Sequence, residues 1–289
     1  MQKRKFTDKP GGGPMRVHQK VFGYLVTLFF LCVSFAVPAQ AMDVTLAWDA
    51  NTEPELSGYK LHYGTEAGGG SYKGTGATEG DSPIDVGNVT TFTLHGLPDG
   101  TVHFFVVTAY SDKGTQSDYS NEVDALAIKL SSGSNLISLY RQPSDVDITQ
   151  VLEPISGKYT SVWAFGEDNW SVYDPANPAF SDLKEMEAGR GYWIDMKQPG
   201  TLPVFGSLPS NQISLSNGSN LVGYNAAAAR EISNAIGSIE NECGSVWTFV
   251  DGNWRVYDPA NPAFSDLGGM EPGHGYWIDV SKACVWTLP

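Results

Sequence analysis

Apolar and polar positions alternate along most of the chain after residue 42, and turn residues interrupt the alternation at short intervals. "VTLAW" (Val44 to Trp48), "YKLHYGT" (Tyr59 to Thr65), "TTFTLHGL" (Thr90 to Leu97) and "TVHFFVVTAY" (Thr101 to Tyr110) carry the alternation. Between them lie "DANTEPELSG", the Gly-rich "EAGGGSYKGTGATEGDS" and "PDG", and "SNEVDA" closes the series at Ala125. A period of two broken by Gly, Pro and Asp predicts short strands in an all-β sandwich. Beyond Ala125 the period changes. Ile148, Val151, Leu152 and Ile155 fall at i, i+3, i+4 and i+7, the spacing of a short helix buried on one face. "SVWAF" and "WSVYD" then flank "GEDN", which predicts a β-hairpin, and "GYWID" (Gly191 to Asp195) is a further strand.

That second pattern occurs twice. "IKLSSGSNLISLY" (Ile128 to Tyr140) aligns with "ISLSNGSNLVGYN" (Ile213 to Asn225), and "GRGYWIDM" with "GHGYWIDV". "SVWAFGEDNWSVYDPANPAFSDL" aligns with "SVWTFVDGNWRVYDPANPAFSDL", so that "VYDPANPAFSDL" stands unchanged at Val172 to Leu183 and at Val256 to Leu267. The helical spacing returns at Ile232, Ala235, Ile236 and Ile239, and "GSLPSNQ" (Gly206 to Gln212) reads as the linker. This is a tandem duplication. The chain therefore divides into 1–41, a β domain over 42–126, repeat unit 1 over 128–206 and repeat unit 2 over 213–289. In the shared stretch Pro175 and Pro178 fix φ and remove two donors, so it is a connection and not a central strand. Phe180 and Leu183 are expected to pin it to the core. Its identity in both copies reflects either a binding surface or recent duplication, and one sequence does not separate the two.

Trp48, "SGYKLHYG" with Tyr59, "LHGLPDGT", the "F-x-V-x-A" of Phe105, Val107 and Ala109, and the closing "SNEV" together resemble a bacterial fibronectin type III domain. The resemblance covers nearly all of 42–125. It departs at His103, where the family places the tyrosine of its corner hydrogen bond, so that bond is weakened or remade by imidazole. The two repeats, with their "G-x-N-L-[IV]-S-L" opening, "VW" hairpin and closing "G-x-G-Y-W-I", resemble C-terminal modules of bacterial secreted and surface proteins. That resemblance implies an extracellular setting and no particular activity. The expected fold is mainly β: a fibronectin type III-like sandwich followed by two homologous small β-rich units, each with one short helix.

The first 41 residues change the charge and the compartment. A basic start is followed by the apolar run Val21 to Val37 and by "PAQA", the pattern of a signal peptide cleaved after Ala41. Left uncleaved, the run approaches the roughly 20 residues that span a bilayer and becomes an anchor. Either way the protein is expected to be exported, to the periplasm, the cell surface or the medium. Cleavage leaves 12 of the 18 basic and 31 of the 32 acidic residues, a net charge of −19. Such a surface repels nucleic acid and anionic lipid, which leaves an uncleaved leader as the one route to a membrane. The mature cysteines, Cys243 and Cys284, align with Tyr159 and Gly200 beside the hairpin and the last strand, and an oxidising compartment predicts a disulfide.

Catalytic patterns are scarce. The chain has no G-x-S-x-G elbow, CxxC or HExxH, and Gly68 to Gly70 sit between strands instead of opening a helix. His62, His95, His103 and His274 lie in unrelated contexts. A glycosidase needs two carboxylates about 5–10 Å apart, a requirement too permissive to locate in a sequence. Binding chemistry is better marked. Trp163, Trp170 and Trp193 recur as Trp247, Trp254 and Trp277, and exposed indoles stack on sugar rings or anchor protein partners. Within "VWAF", Trp163 and Phe165 share the face opposite Val162 and Ala164. The candidate contact residues are Trp170, Tyr173, Trp254, Tyr257, Trp193 and Trp277, together with the loops Asp174 to Leu183 and Asp258 to Leu267. Asp174, Asp182, Asp258 and Asp266 are hard oxygen donors of the kind calcium takes, though turn formation explains them as well. No other cofactor is expected. The sequence thus points to a non-catalytic exported or cell-surface binding or adhesion protein whose partner is a polysaccharide or a cell-envelope protein. A polysaccharide-active hydrolase, or its accessory subunit, is the alternative.

Overall fold

The structure, a computed structural model, describes residues 41–68 and 72–288. The leader and Cys32 lie outside the described residues. Six strands build the first part: β1 (Ala41–Ala47), β2 (Leu56–Gly64), β3 (Ile84–Gly87), β4 (Thr91–Pro98), β5 (His103–Ser111) and β6 (Val123–Leu130). Met42 and Val44 of β1 point inward while Asp43 and Thr45 face water, as period two requires. β1 pairs with β4, and β3, β2, β5 and β6 lie side by side in the opposing sheet. The two sheets close over Met42, Val44, Leu61, Tyr63, Leu94, Leu97 and Phe105. Tyr59 is also buried, and Trp48 lies just past the end of β1 with its ring edge-on to Tyr59 at 5.6 Å. Val107 is only partly buried. His103 does remake the corner: its Nε2 donates to the Pro98 carbonyl at 2.9 Å, the only role a carbonyl leaves to that nitrogen.

Each repeat then forms the expected helix, hairpin and strand. The first comprises β7 (Gly133–Ser138), α1 (Ile148–Val151), β8 (Tyr159–Gly166), β9 (Asn169–Tyr173), β10 (Gly191–Met196) and β11 (Gly200–Val204). The second comprises β12 (Gln212–Leu215), β13 (Gly218–Gly223), β14 (Arg230–Glu231), α2 (Ile232–Ala235), β15 (Cys243–Val250), β16 (Asn253–Tyr257), β17 (Gly269–Met270), β18 (Gly275–Val280) and β19 (Cys284–Thr287). The sheet orders β7-β10-β8-β9 and β13-β18-β15-β16 correspond strand for strand. Both hairpins turn through residues of positive φ, Glu167 and Asp168 in one, Asp251 and Gly252 in the other, as a two-residue turn of the right twist demands. The helices are one turn long and tighten into 3₁₀ turns at Glu153–Ile155 and Gly237–Ile239. Pro154 and Gly237 are poor helix residues at that point, yet Ile148, Leu152 and Ile155 still reach the core. The mainly β fold class expected from the sequence is the one the structure has.

No linker separates the sandwich from the first repeat. Val123, Asp124 and Ala125 of β6 pair with β5, and Leu126 through Leu130 pair with β11. The 126/128 division therefore falls within one continuous strand. Ala125, Leu126, Ala127 and Ile128 are all buried, the mark of a strand covered on both faces. In the second repeat the same place is taken by β12 paired with β19 alone.

The repeats pack on each other through reciprocal contacts. The Ser138 amide donates to the Gly273 carbonyl at 2.9 Å, and the Gly223 amide to the Gly189 carbonyl at 3.0 Å. Ile137 bridges to His274 as Arg190 does to Val222. Exchanging each residue for its counterpart turns one contact of each pair into the other, which is the signature of an isologous, pseudo-twofold interface. Glycine makes the approach possible. A Cβ on Gly191 would stand 2.7 Å from the Leu221 side chain, and one on Gly275 2.7 Å from the Ile137 carbonyl.

Candidate aromatic binding surface

Strand alternation sorts the aromatic residues. Val162 and Ala164 of β8, Tyr173 of β9, and Tyr192 and Ile194 of β10 face the core of the repeat. Trp163, Phe165, Trp170 and Trp193 take the opposite face, where Trp163 stands across from Trp193 and Phe165 across from Trp170. The second repeat repeats this at Trp247, Phe249, Trp254 and Trp277.

These rings gather into two clusters, and each cluster draws on both repeats. Trp277 of the second repeat lies 5.2 Å from Phe165 and 5.8 Å from Trp170 of the first. Reciprocally, Trp193 lies 5.3 Å from Phe249 and 5.6 Å from Trp254. Trp163 and Trp247 extend the clusters, at 6.5 Å from Trp170 and 6.4 Å from Trp254. Trp170 and Trp254 remain 48% exposed, while Trp193 and Trp277 are half-buried between the repeats. Of the candidates from sequence, Trp170 and Trp277 thus come together in one cluster and Trp193 and Trp254 in the other. Tyr173 does not: it is 7% exposed on the inward face, and Tyr257 packs partly buried against the second core. Trp163 and Trp247, not among those candidates, are 37% and 40% exposed. Their place on the outward face was readable from "VWAF".

The shared loop is a hydrogen-bonded scaffold. Asp174 accepts from the Ala176 amide through Oδ1 and from the Asn177 side chain through Oδ2, both at 2.8 Å, and Asp258 does the same with Ala260 and Asn261. The Asn177 side-chain bond, and then that amide, hold the Asp174 carboxyl below its ordinary range. Asp182 accepts from the Val172 amide, and Asp266 accepts from Val256 and pairs with Arg255 at 3.0 Å. The four candidate calcium ligands are accordingly engaged in building turns, and among the described residues no three His, Cys, Asp or Glu side chains assemble as a metal site. Leu183 pins the loop to the core as expected, but Phe180 does not. It is 90% exposed and its counterpart Phe264 88%, because the 3₁₀ turns Pro178–Phe180 and Pro262–Phe264 carry the ring outward. A groove of about 480 Å³ runs between Phe180 and Trp163, floored by Val172 and edged by Ser161, Asp174 and Asn177.

The remaining chemistry is scattered. Cys243 and Cys284 are free thiols, which corrects the expected disulfide. They sit in different sheets, Cys243 opposite Val280 and Cys284 opposite Leu215. Burial, followed by the nearby Asp279, pushes the Cys243 thiol up to about 11, so it is no ready nucleophile. His62 bonds Thr108, His95 bonds Glu79 and His103 holds the corner. His274 lines a separate cavity of about 470 Å³ with Asp251 and Glu271. Burial lowers its pKa against the opposing pull of those two carboxylates. Among the described residues no helix is long and apolar enough to cross a membrane.

No family model matches the chain. A stretch of 120 residues, 40% of the chain, is 32% identical to a Kelch domain-containing protein of Saccharolobus solfataricus and spans 14% of that protein's length. Among solved structures, the chicken CNTN1 FN1–FN3 domains align over 86% of this chain and 95% of theirs, at 14% identity. The TM-score of that alignment is 0.24, too low for it to bear on the fold.

Proposed function

We propose that the chain is a non-catalytic binding or adhesion protein, exported by its leader, that holds a polysaccharide on the aromatic surface of its two repeats. The observation that carries this reading is the pair of composite ring clusters with Trp170 and Trp254 half-exposed. Exposed indoles fixed in a rigid array offer large contact area at little entropic cost. The sandwich over 42–126, similar in sequence to a bacterial fibronectin type III domain, acts as a spacer, and β6 couples it stiffly to the repeats. A cell-envelope protein is the other partner this surface suits.

A hydrolase, or its accessory subunit, has one observation in its favour, the His274 cavity with Asp251 and Glu271 on its wall. A glycan array set beside a turnover screen on the polysaccharides it identifies separates the readings. Binding without product, lost on replacing Trp170 and Trp254 by Ala, supports the binding protein. Product release abolished by Glu271→Gln would establish the hydrolase. N-terminal sequencing of the envelope-associated form tests export: a start at Met42 is expected, and an intact Val21 to Val37 segment in membranes would mean an anchor.

A further inference from the structure

The proposed binding function leaves the ligand's chemical class open, and the groove between Trp163 and Phe180 narrows it. We infer that this groove, with its copy between Trp247 and Phe264, is a preformed clamp for one uncharged hexopyranose ring of a polysaccharide; this rests on the polysaccharide reading above. Phe180 and Phe264, 90% and 88% exposed, contribute almost nothing to either core. The indole wall of the groove and the backbone turn that carries the phenylalanine are nevertheless held in place. The Trp163 indole N–H donates to Ser161 Oγ at 3.0 Å, and Trp247 does so to Ser245 at 3.0 Å, which fixes each indole. The Phe180 amide donates to the Asn177 carbonyl at 3.0 Å, and the Phe264 amide to the Asn261 carbonyl at 3.0 Å. Ser181 Oγ accepts from the Asp174 amide at 2.8 Å, and Ser265 from Asp258 at 2.9 Å, tying both ends of each turn together. A site ordered before its ligand arrives loses little entropy on binding.

The lining sets the ligand's character. The aromatic side chains of Trp163 and Phe180, whose rings carry a negative quadrupole on their faces, join Val172 in the lining and give apolar surface of the kind that suits the slightly positive C–H face of a sugar ring. Ser161, Asn177 and the Asp174 carboxylate supply the polar edge, where hydroxyl groups find partners. Among the described residues no lysine or arginine lines the groove, although Lys184 Nζ donates to the Pro178 carbonyl of the same turn at 3.1 Å; the Asp174 carboxylate in the lining and the net charge of −14 weigh against uronic and sulfated sugars. A volume of about 480 Å³ lies in the range of small-ligand sites and admits one ring with parts of its neighbours. Ser, Trp, Val, Asp, Asn and Phe recur at Ser245, Trp247, Val256, Asp258, Asn261 and Phe264. The residue types of the groove therefore stand at equivalent positions of the second repeat.

The test is a binding isotherm of the full chain on amorphous cellulose, chitin and galactomannan, with polygalacturonate as the anionic comparison. Three proteins are compared: wild type, Phe180→Ala/Phe264→Ala and Trp170→Ala/Trp254→Ala. Wild type is expected to bind at least one neutral polymer and not polygalacturonate. The phenylalanine variant should lose at least about tenfold in affinity, as truncated anchor residues do, with its melting temperature unchanged within about 2 °C. Wild-type affinity in the phenylalanine variant, beside lost binding in the tryptophan variant, overturns the clamp and leaves the binding reading standing. Tighter binding to polygalacturonate overturns the uncharged class. Failure of wild type on every neutral polymer overturns both the clamp and the polysaccharide reading, and retention of an envelope protein by the same surface would then identify a protein partner.

Discussion

If each ring cluster is shared between repeats, indoles distant in sequence must be energetically coupled, while two indoles of one repeat need not be. The perturbation is the pair Trp170→Ala and Trp277→Ala, alone and together. Trp277 is half-buried and touches Phe165 and Trp170 at 5.2 and 5.8 Å. A fully buried Trp→Ala change costs about 3–5 kcal/mol, so partial burial puts Trp277→Ala at about 2–3 kcal/mol. Trp170, 48% exposed, should cost about 1–2 kcal/mol. Their rings meet edge to face at 66°, a geometry worth about 0.5–1.5 kcal/mol beyond burial, so the double variant should lose that much less than the sum of the singles. Trp193 and Trp254, at 5.6 Å and 66°, should give the same coupling. Trp170 and Trp193, which meet only through their shared neighbour Trp163, should couple less than either cross-repeat pair. Urea unfolding followed by far-UV circular dichroism is the assay, since fluorescence loses its reporters. The reciprocal interface should also make the two repeats melt in a single transition. Additivity in both cross-repeat pairs, or two separate transitions, would refute the interlock.

Three further outcomes follow from the core and the titrating groups. Phe105→Ala, at a residue 1% exposed, should cost about 3–5 kcal/mol in the same melt; a loss under about 1 kcal/mol would mean that the sandwich core is misassigned. Burial, the largest cause at His62, His103 and His274, lowers all three below the ordinary 6.5, whereas bonding to Glu79 raises exposed His95. Stability should therefore be full above pH 6.5 and fall as the unfolded chain takes up protons the folded imidazoles resist; a melting temperature that holds or rises from pH 7.5 to 5.5 would contradict this. Cys284 should react with a thiol reagent well before buried Cys243, and adding reductant should leave the melting temperature of the chain unchanged; a drop would reveal a disulfide.

Local periodicity made much of this fold legible. The two faces of "VWAF", the positive-φ turns of both hairpins and the inward Ile148, Leu152 and Ile155 all follow from spacing within a few residues. The same rule places Tyr173 inward once Trp170, three residues earlier, is set outward, so the signal that excludes it from the surface was present. What spacing does not encode is which repeat supplies a ring. Trp277 meets Phe165 only because Gly191, Gly223 and Gly275 let two backbones approach, a tertiary event with no local pattern. Nor does alignment of Cys243 and Cys284 with neighbouring strand ends say that those strands belong to different sheets. The fusion of sandwich and repeat in β6 did leave a trace, the unbroken apolar run "ALAI", which a linker would not carry.

The twelve residues repeated without change can now be divided by what the fold asks of them. Tyr173 and Leu183 are core, and their loss would open a cavity. Asp174, Asn177, Ser181 and Asp182 are bound by the turn, each through a side-chain hydrogen bond to the loop or to β9. Pro175 and Pro178 narrow the backbone. Phe180 has no such account: its ring is out in water, and so is that of Phe264. Recent duplication explains why two copies match, but not why the ancestral loop exposed a phenylalanine on a hydrogen-bonded turn. Large apolar side chains presented this way form contact sites, and a ring that shares a groove with a fixed indole is half of one. Scaffold demand therefore accounts for most of the stretch, and the exposed ring is the position where a binding role adds something the fold does not.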